Sequence, residues 1–102
     1  MSTCVLYEVT AVLRDEVVAR DWVRWILDVH IAEVVEAGAT SGRLLQIDDT
    51  PHTYVVQYEF ASRDSLETYL LRHARRLREA GALRFGPIDV TYSRRTAAIV
   101  HH

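Results

Sequence analysis

The hydrophobic and polar positions of the chain follow two different periods, which predict strands and helices in turn. Residues 4–13 alternate apolar with mixed positions and are rich in β-branched and aromatic types, as is typical of a strand. Helical spacing of apolar residues follows, behind acidic residues that suit a helix N-terminus, and it ends at Gly38. This pattern predicts a first helix over residues 16–37 with a bend near His30.

The middle of the chain predicts a β-hairpin followed by a second helix. Two runs, GRLLQIDD and TYVVQYEF, are joined by the turn-forming residues 49–52. Ser62 or Asp64 then provides a helix cap, Gly81 is expected to end that helix, and residues 87–99 are predicted to form the last strand. The stripe that this helix turns to the sheet or its edge consists of Leu66, Leu70, His73 and Leu77.

The predicted order of elements, βαββαβ, defines an α+β fold class. No linker or break in composition divides residues 1–100, so we expect a single domain, with residues 101–102 as a tail. Short connections and right-handed crossovers favour a four-stranded antiparallel sheet in the spatial order 4-1-3-2, with both helices on one face. This is the ferredoxin-like arrangement.

Two helices cover only one face of such a sheet, so the face away from the helices, called the open face below, must meet water or a partner. Its predicted residues have a polar centre and partly apolar margins, a mixture too apolar for solvent and too charged for a dry interface. A face-to-face homodimer, the dimeric α+β barrel, reconciles the two properties. With Tyr7, Val9, Val56 and Tyr58 facing the helices, the residues predicted for the open face are Leu6, Glu8, Thr10, Val12, Leu44, Gln46, Val55, Gln57, Glu59, Thr91, Ser93 and Arg95.

Five segments, YEVTAVL, WVRWILDVHIAEVVEAG, TYVVQYEF, LRFG and YSRR, resemble a family of short bacterial proteins known only as a domain of unknown function. The resemblance spans nearly the whole chain, and its most specific part is Trp22-x-x-Trp25 followed by His30-Ile31. It implies a dimeric ferredoxin-like barrel and assigns no catalytic residues. Ala32 departs from the family pattern, which has proline after His-Ile. This departure favours a first helix that runs on smoothly past His30 without a bend.

The composition excludes several classes of chemistry. All 12 basic residues are arginine, and the absence of lysine excludes Schiff-base catalysis by lysine and a Walker A loop. Cys4 is the single cysteine, so one chain forms no internal disulfide and no multi-cysteine metal centre. We therefore expect no metal and no bound cofactor.

The charge and the hydropathy of the chain indicate which partners it can bind and where in the cell it is expected. The formal net charge is -2, which provides no overall attraction for nucleic acid. The arginine-rich run RHARRLR, residues 72–78, is interpreted as a solvated helix end, with a patch for phosphate or an acidic partner as the alternative. No segment approaches the roughly 20 apolar residues that cross a bilayer, and no basic region precedes the first apolar run, so a cytoplasmic protein is expected.

His30 is the first candidate for a functional side chain. In a barrel of this type, a histidine on the first helix can reach the mouth of a cavity and contact a ligand or act as a general base. The structural alternative is a histidine at the margin of the core, stacked near Trp25 or Ile26, with one ring nitrogen bonded to a backbone carbonyl. His30 and Glu33 have the helical spacing of two metal ligands, but the sequence places no third.

A second group of candidates lies on the predicted open face: Glu8, Gln57, Glu59 and Arg95. The strand order puts Glu8 between Arg95 and Gln57, within reach of both. These side chains form either a ligand pocket with a carboxylate that binds or abstracts a proton, or a satisfied polar network that sets the register of the dimer.

Two hypotheses about function follow, and the sequence leaves open whether the protein is an enzyme. The first is a homodimeric small-molecule-binding protein or cofactor-independent enzyme of the dimeric barrel type. The second is a non-catalytic homodimeric module with a structural or regulatory role. A pocket of roughly 300 Å³ or more, lined by Glu8, Gln57 and His30, favours the first.

Overall fold

The computed structural model describes residues 3–101. Met1, Ser2 and His102 lie outside the described residues, so only His101 of the predicted tail is described. The elements, in chain order, are β1 (Val5–Leu13), α1 (Glu16–Trp25), a π-helical turn (Ile26–His30), α2 (Ile31–Glu36), β2 (Ser41–Gln46), β3 (Thr53–Phe60), α3 (Arg63–Arg72), α4 (Ala74–Arg84) and β4 (Val90–Ala98).

The four strands form one sheet in the order β2-β3-β1-β4, which is the predicted order 4-1-3-2 read from the other edge. Strand β1 is central and pairs antiparallel with both β3 and β4, and β2 completes the sheet against β3. The α+β fold class and the ferredoxin-like strand order are therefore confirmed. The edge strands are β2 and β4.

The helices lie on one face of the sheet, and a single hydrophobic core fills the space between the two layers. Trp22 of α1 and Phe60 of β3 are completely buried, and Leu66 and Leu77 contribute from the second helical segment. The odd-numbered residues of β1, from Val5 to Leu13, point into this core because successive side chains of a strand alternate between faces.

The first helical segment is continuous but not uniform. Asp15 caps α1 by accepting a hydrogen bond from the backbone N–H of Val18, and Gly38 closes the segment with a φ of 136°, which favours glycine. Residues 26–30 form a π-helical turn between α1 and α2. The predicted range is confirmed to within one residue, and the expected bend near His30 is a local widening of the helix that occurs without proline.

The prediction that the second helix ends at Gly81 was wrong. Ser62 caps α3 in a reciprocal pair with Ser65, the backbone breaks at His73, and α4 continues to Arg84. Gly81 is inside α4 because its missing side chain lets the helix approach the core: a Cβ there would lie 2.9 Å from Cη2 of Trp25. The break at His73 leaves that histidine half-buried, 3.3 Å from the guanidinium of Arg76 and stacked beside Tyr69, rather than in a continuous stripe against the sheet.

The placement of Leu44 and Gln46 on the open face was also wrong. Leu44 is paired with Val56 and Gln46 with Tyr54, and directly opposed residues of an antiparallel pair share a face, so both side chains lie on the helix side. Arg43 and Leu45 take their places on the open face. The sequence RLLQ has two consecutive leucines, so alternation alone could not decide which leucine points inwards.

No helix among residues 3–101 covers the open face. Its half-buried apolar residues are Leu6, Leu45 and Val55, and Val12 at the margin is 45% exposed. Among residues 3–101, no helix combines the length and apolar character that a bilayer crossing requires.

Candidate functional site

A chain of hydrogen bonds crosses the centre of the open face. The amide nitrogen of Gln57 donates to one carboxylate oxygen of Glu8 at 2.6 Å, and Nε of Arg95 donates to the other, also at 2.6 Å. Nε of Arg43 on the outer strand β2 donates to the amide oxygen of Gln57 at 2.7 Å. Four side chains from four neighbouring strands are thus joined, because the strand register sets Glu8 opposite both Gln57 and Arg95.

Glu8 is a buried carboxylate in this network. Its side chain is 9% exposed, whereas that of Arg95 is 79% exposed. The hydrogen bond from Arg95 lowers the pKa of Glu8 below its ordinary value, and it outweighs the opposing effect of burial. Glu59, the fourth predicted residue of this group, lies on the same face but makes no side-chain hydrogen bond to any residue within 3–101.

His30 lies on the opposite side of the sheet, at the end of the π-helical turn. In an α-helix, a residue five positions ahead is rotated by about 140° and points elsewhere. The i to i+5 hydrogen bonding of the π turn brings His30 back beneath Trp25, so that the two rings stack with centroids 4.5 Å apart and an angle of 23° between their planes. The ring of Tyr58 from β3 is nearly perpendicular to that of His30, with an angle of 77° between the planes and a centroid distance of 6.4 Å.

The imidazole of His30 is neutral at pH 7. Burial lowers the pKa of His30 to about 4, and the positive charge of Arg94 acts in the same direction. Nδ1 of His30 is buried without a hydrogen-bond partner among the described residues, and the nearest carboxylate oxygen, of Glu33, is 3.9 Å away. The structural alternative for His30 expected a ring nitrogen bonded to a backbone carbonyl, and Nδ1 has no such partner among the described residues.

A small cavity of about 40 Å³ separates the sheet from the helices beside His30. Aromatic side chains dominate its walls, and two arginines complete them. It is called the aromatic cavity below. Its lining residues are Tyr7, Val9, Trp22, Trp25, Ile26, His30, Val56, Tyr58, Tyr69, Leu77, Arg78, Gly81, Tyr92 and Arg94.

Two hydrogen bonds fix the phenols at the edges of the aromatic cavity. Nη2 of Arg78 donates to the hydroxyl of Tyr7 at 2.6 Å, and the indole N–H of Trp22 donates to the hydroxyl of Tyr92 at 2.9 Å. Burial raises the pKa of Tyr69 to about 12 and raises the pKa of Tyr58 as well, so these phenols stay protonated at neutral pH.

The structure thus divides the predicted candidates between two sites. Glu8, Gln57 and Arg95 come together on the open face, whereas His30 lies in the aromatic cavity, so within residues 3–101 these side chains do not line one common pocket. Arg78 and Arg94 were missed as cavity residues. The alternation that puts Val90 and Tyr92 on one face of β4 includes Arg94, which pairs with Val9, so the strand period held a signal for Arg94, whereas the helical period did not show that Arg78 reaches inwards. The tyrosines gave a partial signal, since Tyr7 and Tyr58 were assigned to the helix side of the sheet.

Within residues 3–101, no cluster of three or more His, Cys, Asp or Glu side chains is placed to hold a metal ion.

The family defined as Domain of unknown function (DUF4286) has a model that matches residues 4–98, nearly the whole chain. The chain belongs to the DUF4286 family. No curated protein matches it. The resemblance noted from Trp22, Trp25 and His30 is therefore confirmed, and membership of this family assigns no activity to any of these side chains.

Solved structures show the same fold at low sequence identity. A dimeric ferredoxin-like protein from an uncultured marine organism is 13% identical, with 99% of each chain covered and a TM-score of 0.77. SnoaB, a cofactor-independent oxygenase from Streptomyces nogalater, is 16% identical over 99% of this chain and 97% of its own, with a TM-score of 0.69. A Nitrosomonas europaea protein with a provisional assignment as an antibiotic biosynthesis monooxygenase is 13% identical over 99% of this chain and 94% of its own, also with a TM-score of 0.69.

Proposed function

We propose that this member of the DUF4286 family is a homodimeric small-molecule-binding protein or cofactor-independent enzyme, with its ligand in the aromatic cavity. The observation that carries the proposal is His30, a neutral imidazole in the cavity wall with a buried Nδ1 that has no partner among the described residues. A buried polar atom without a partner costs about 1–3 kcal/mol, so a ligand that bonds to it gains the interaction that the folded chain lacks. Similarity in fold to the cofactor-independent oxygenase SnoaB supports the same proposal.

The dimer is proposed to form through the open face. Leu6, Leu45 and Val55 supply an apolar margin, and in the polar centre each carboxylate oxygen of Glu8 already accepts a hydrogen bond within one chain. A polar group that is satisfied before association does not oppose burial as an unpaired group would. The fold neighbour from a marine organism, which is dimeric, supports this arrangement. In this proposal Glu8, Gln57, Glu59 and Arg95 set the register of the two copies.

The remaining expectations from the sequence belong to the same proposal. Residues 1–100 act as one domain, the protein works in the cytoplasm, and neither metal nor nucleic acid takes part. The formal charge of -2 supports the last point, since binding to phosphates depends on positive potential.

A thermal-shift screen tests the proposed function directly. Haem, flavins and small aromatic compounds are added to the purified protein, and small aromatic compounds are expected to raise its melting temperature. A ligand at 100 times its Kd stabilises the folded state by about 2.7 kcal/mol. His30→Phe is the diagnostic variant, because it keeps an aromatic ring against Trp25 and removes the ring nitrogens, and it is expected to abolish the shift.

One observation favours the alternative, a non-catalytic homodimeric module. The aromatic cavity, at about 40 Å³, has room for only one or two water molecules unless its side chains move. If no compound of the screen shifts the melting temperature while the protein remains a dimer, the alternative replaces the proposed function.

A further inference from the structure

Two arginines without acidic partners reach the aromatic cavity. Nη2 of Arg78 donates to the hydroxyl of Tyr7, and the guanidinium carbon of Arg94 lies 5.0 Å from the ring centroid of Tyr92. Among residues 3–101, neither arginine forms a salt bridge, although four other arginines do. Both cations are thus directed at aromatic groups in the cavity wall instead of at carboxylates.

The rest of the cavity wall has no charge to balance these cations. Of its lining residues, which all belong to the described part of the chain, none is aspartate or glutamate, and His30 is neutral. The wall therefore carries two positive charges and no negative charge at pH 7. Its other surfaces are flat: the stacked pair of Trp25 and His30 on the helix side and the ring of Tyr58 on the sheet side.

We propose that the aromatic cavity selects an aromatic carboxylate, whose ring packs against Trp25, His30 and Tyr58 and whose carboxylate is bound by Arg78 and Arg94. This inference rests on the proposed function and adds the chemical class of the ligand. A guanidinium presents paired N–H donors that match a carboxylate, and hydrogen bonds between charged groups are about twice as strong as neutral ones.

The same contacts explain how a ligand enters so small a cavity. Arg78 is exposed on α4, and its bond to Tyr7 spans from the helix to the sheet across the cavity wall. An incoming carboxylate replaces the Tyr7 hydroxyl as the acceptor of Arg78, so the guanidinium exchanges a hydroxyl acceptor for an ionised one. The departure of Arg78 from Tyr7 makes room for the ring.

A pair of probes that differ in charge but not in shape tests the proposal. Benzoate and benzamide are titrated separately into the full chain, and tryptophan fluorescence is followed. Trp22 and Trp25 are the only tryptophans of the chain, and both line the cavity, so the signal reports on this site. We expect benzoate to bind at least about tenfold more tightly than benzamide, the factor that about 1.4 kcal/mol produces.

Variants of Arg78 and Arg94 test whether these two arginines cause the preference for benzoate over benzamide. Arg78→Gln and Arg94→Gln are each expected to weaken benzoate binding about tenfold and to leave benzamide binding unchanged. Arg75→Gln is the matched control, because Arg75 lies on the same helix with a side chain 92% exposed and bonds to Glu79. All three sites are exposed, and the comparison of the two probes on the unaltered protein requires no variant to fold.

Each outcome separates the proposal from the function on which it rests. Equal binding of the two probes, or tighter binding of benzamide, overturns the aromatic carboxylate and leaves a small-molecule site in place. Benzoate binding that Arg78→Gln and Arg94→Gln do not weaken also overturns it. If neither probe changes the fluorescence, the carboxylate is overturned, and the thermal-shift screen with His30→Phe then decides whether the cavity binds any other small molecule.

Discussion

His30 shows how one side chain can satisfy packing and leave a polar atom unused. Its ring stacks on Trp25 and stabilises the junction between α1 and α2, but Nδ1 is buried without a partner among residues 3–101. Packing explains the ring and does not explain the nitrogen, because phenylalanine would fill the same space without the desolvation penalty. The cost of burying His30 in its neutral form can be measured from the dependence of the free energy of unfolding on pH.

We predict that the free energy of unfolding falls as the pH drops from 6.5 towards 4, and that His30→Phe removes part of this fall. Unfolded histidine takes up a proton near its ordinary pKa of 6.5, whereas burial lowers the pKa of folded His30 to about 4. The unfolded state therefore binds more protons in this window, and stability is lost as the pH falls, by roughly 2–4 kcal/mol in total. Below about pH 4 both states are protonated and the contribution no longer changes.

Urea denaturation between about pH 7 and about pH 5 measures this contribution. The ordinary pKa of Glu8 is 4.5 and is lowered in the fold, so that carboxyl titrates below the range. The other histidines are present in both proteins, and their contributions cancel in the comparison. Parallel pH profiles for the two proteins would show that His30 is not buried in a neutral form.

At the scale of secondary-structure elements, the contact between α4 and the first helical segment depends on a glycine. Gly81 lies in the interior of α4, where alanine ordinarily stabilises a helix by up to about 1 kcal/mol. A Cβ at this position would lie 2.9 Å from Cη2 of Trp25, an atom of a rigid and buried ring. The close approach of α4 to the first helical segment, and with it the shape of the aromatic cavity, therefore requires glycine at position 81.

We predict that Gly81→Ala lowers the free energy of unfolding by about 1–3 kcal/mol, in spite of its better helix propensity, because overpacking forces Trp25 to move. Trp25→Phe removes the atom that would clash, so Gly81→Ala should cost much less in that background. A double-mutant cycle from urea denaturation gives the coupling between the two sites. Additive effects would place the cause elsewhere than in this contact.

At the scale of the whole molecule, the two faces of the sheet carry different side chains. The helix side contains the core and the aromatic cavity, and the open face has an apolar margin around the hydrogen-bonded group of Glu8, Gln57, Arg43 and Arg95. A sheet with helices on one side only leaves such a surface for association. The proposed dimer therefore uses the surface that the cavity does not.

We predict that Val55→Arg converts the dimer into monomers, because it introduces a charge with no partner into the apolar margin of the open face. Leu71→Arg is the control: Leu71 is 86% exposed on α3, away from the sheet, and the same charge there should leave the dimer intact. Size-exclusion chromatography with light scattering gives the mass of each variant. A dimer of unchanged mass for Val55→Arg would show that the copies associate through another surface.

Much of the architecture could be predicted from local patterns. The alternation in β1 and β3 identified the faces of Tyr7, Val56 and Tyr58, and the order of elements led to the strand order that the structure confirms. The link from Glu8 to Arg95 and Gln57 followed from the same strand order. Such predictions succeed because a period of two or of 3.6 residues is imposed by the backbone itself and is visible over a few neighbouring residues.

The remaining features depend on contacts between residues far apart in the chain. The face of Leu44 was decided by its pairing with Val56, the role of Gly81 by the ring of Trp25, and the approach of Arg78 to Tyr7 by the packing of α4 on the sheet. The periodicity of neighbouring residues in the sequence does not reveal contacts between residues that are far apart in the chain. The sequence by itself therefore determined the elements, their order and most of their faces, whereas only the tertiary structure decided which side chains meet in the cavity, because that depends on how closely the two layers pack.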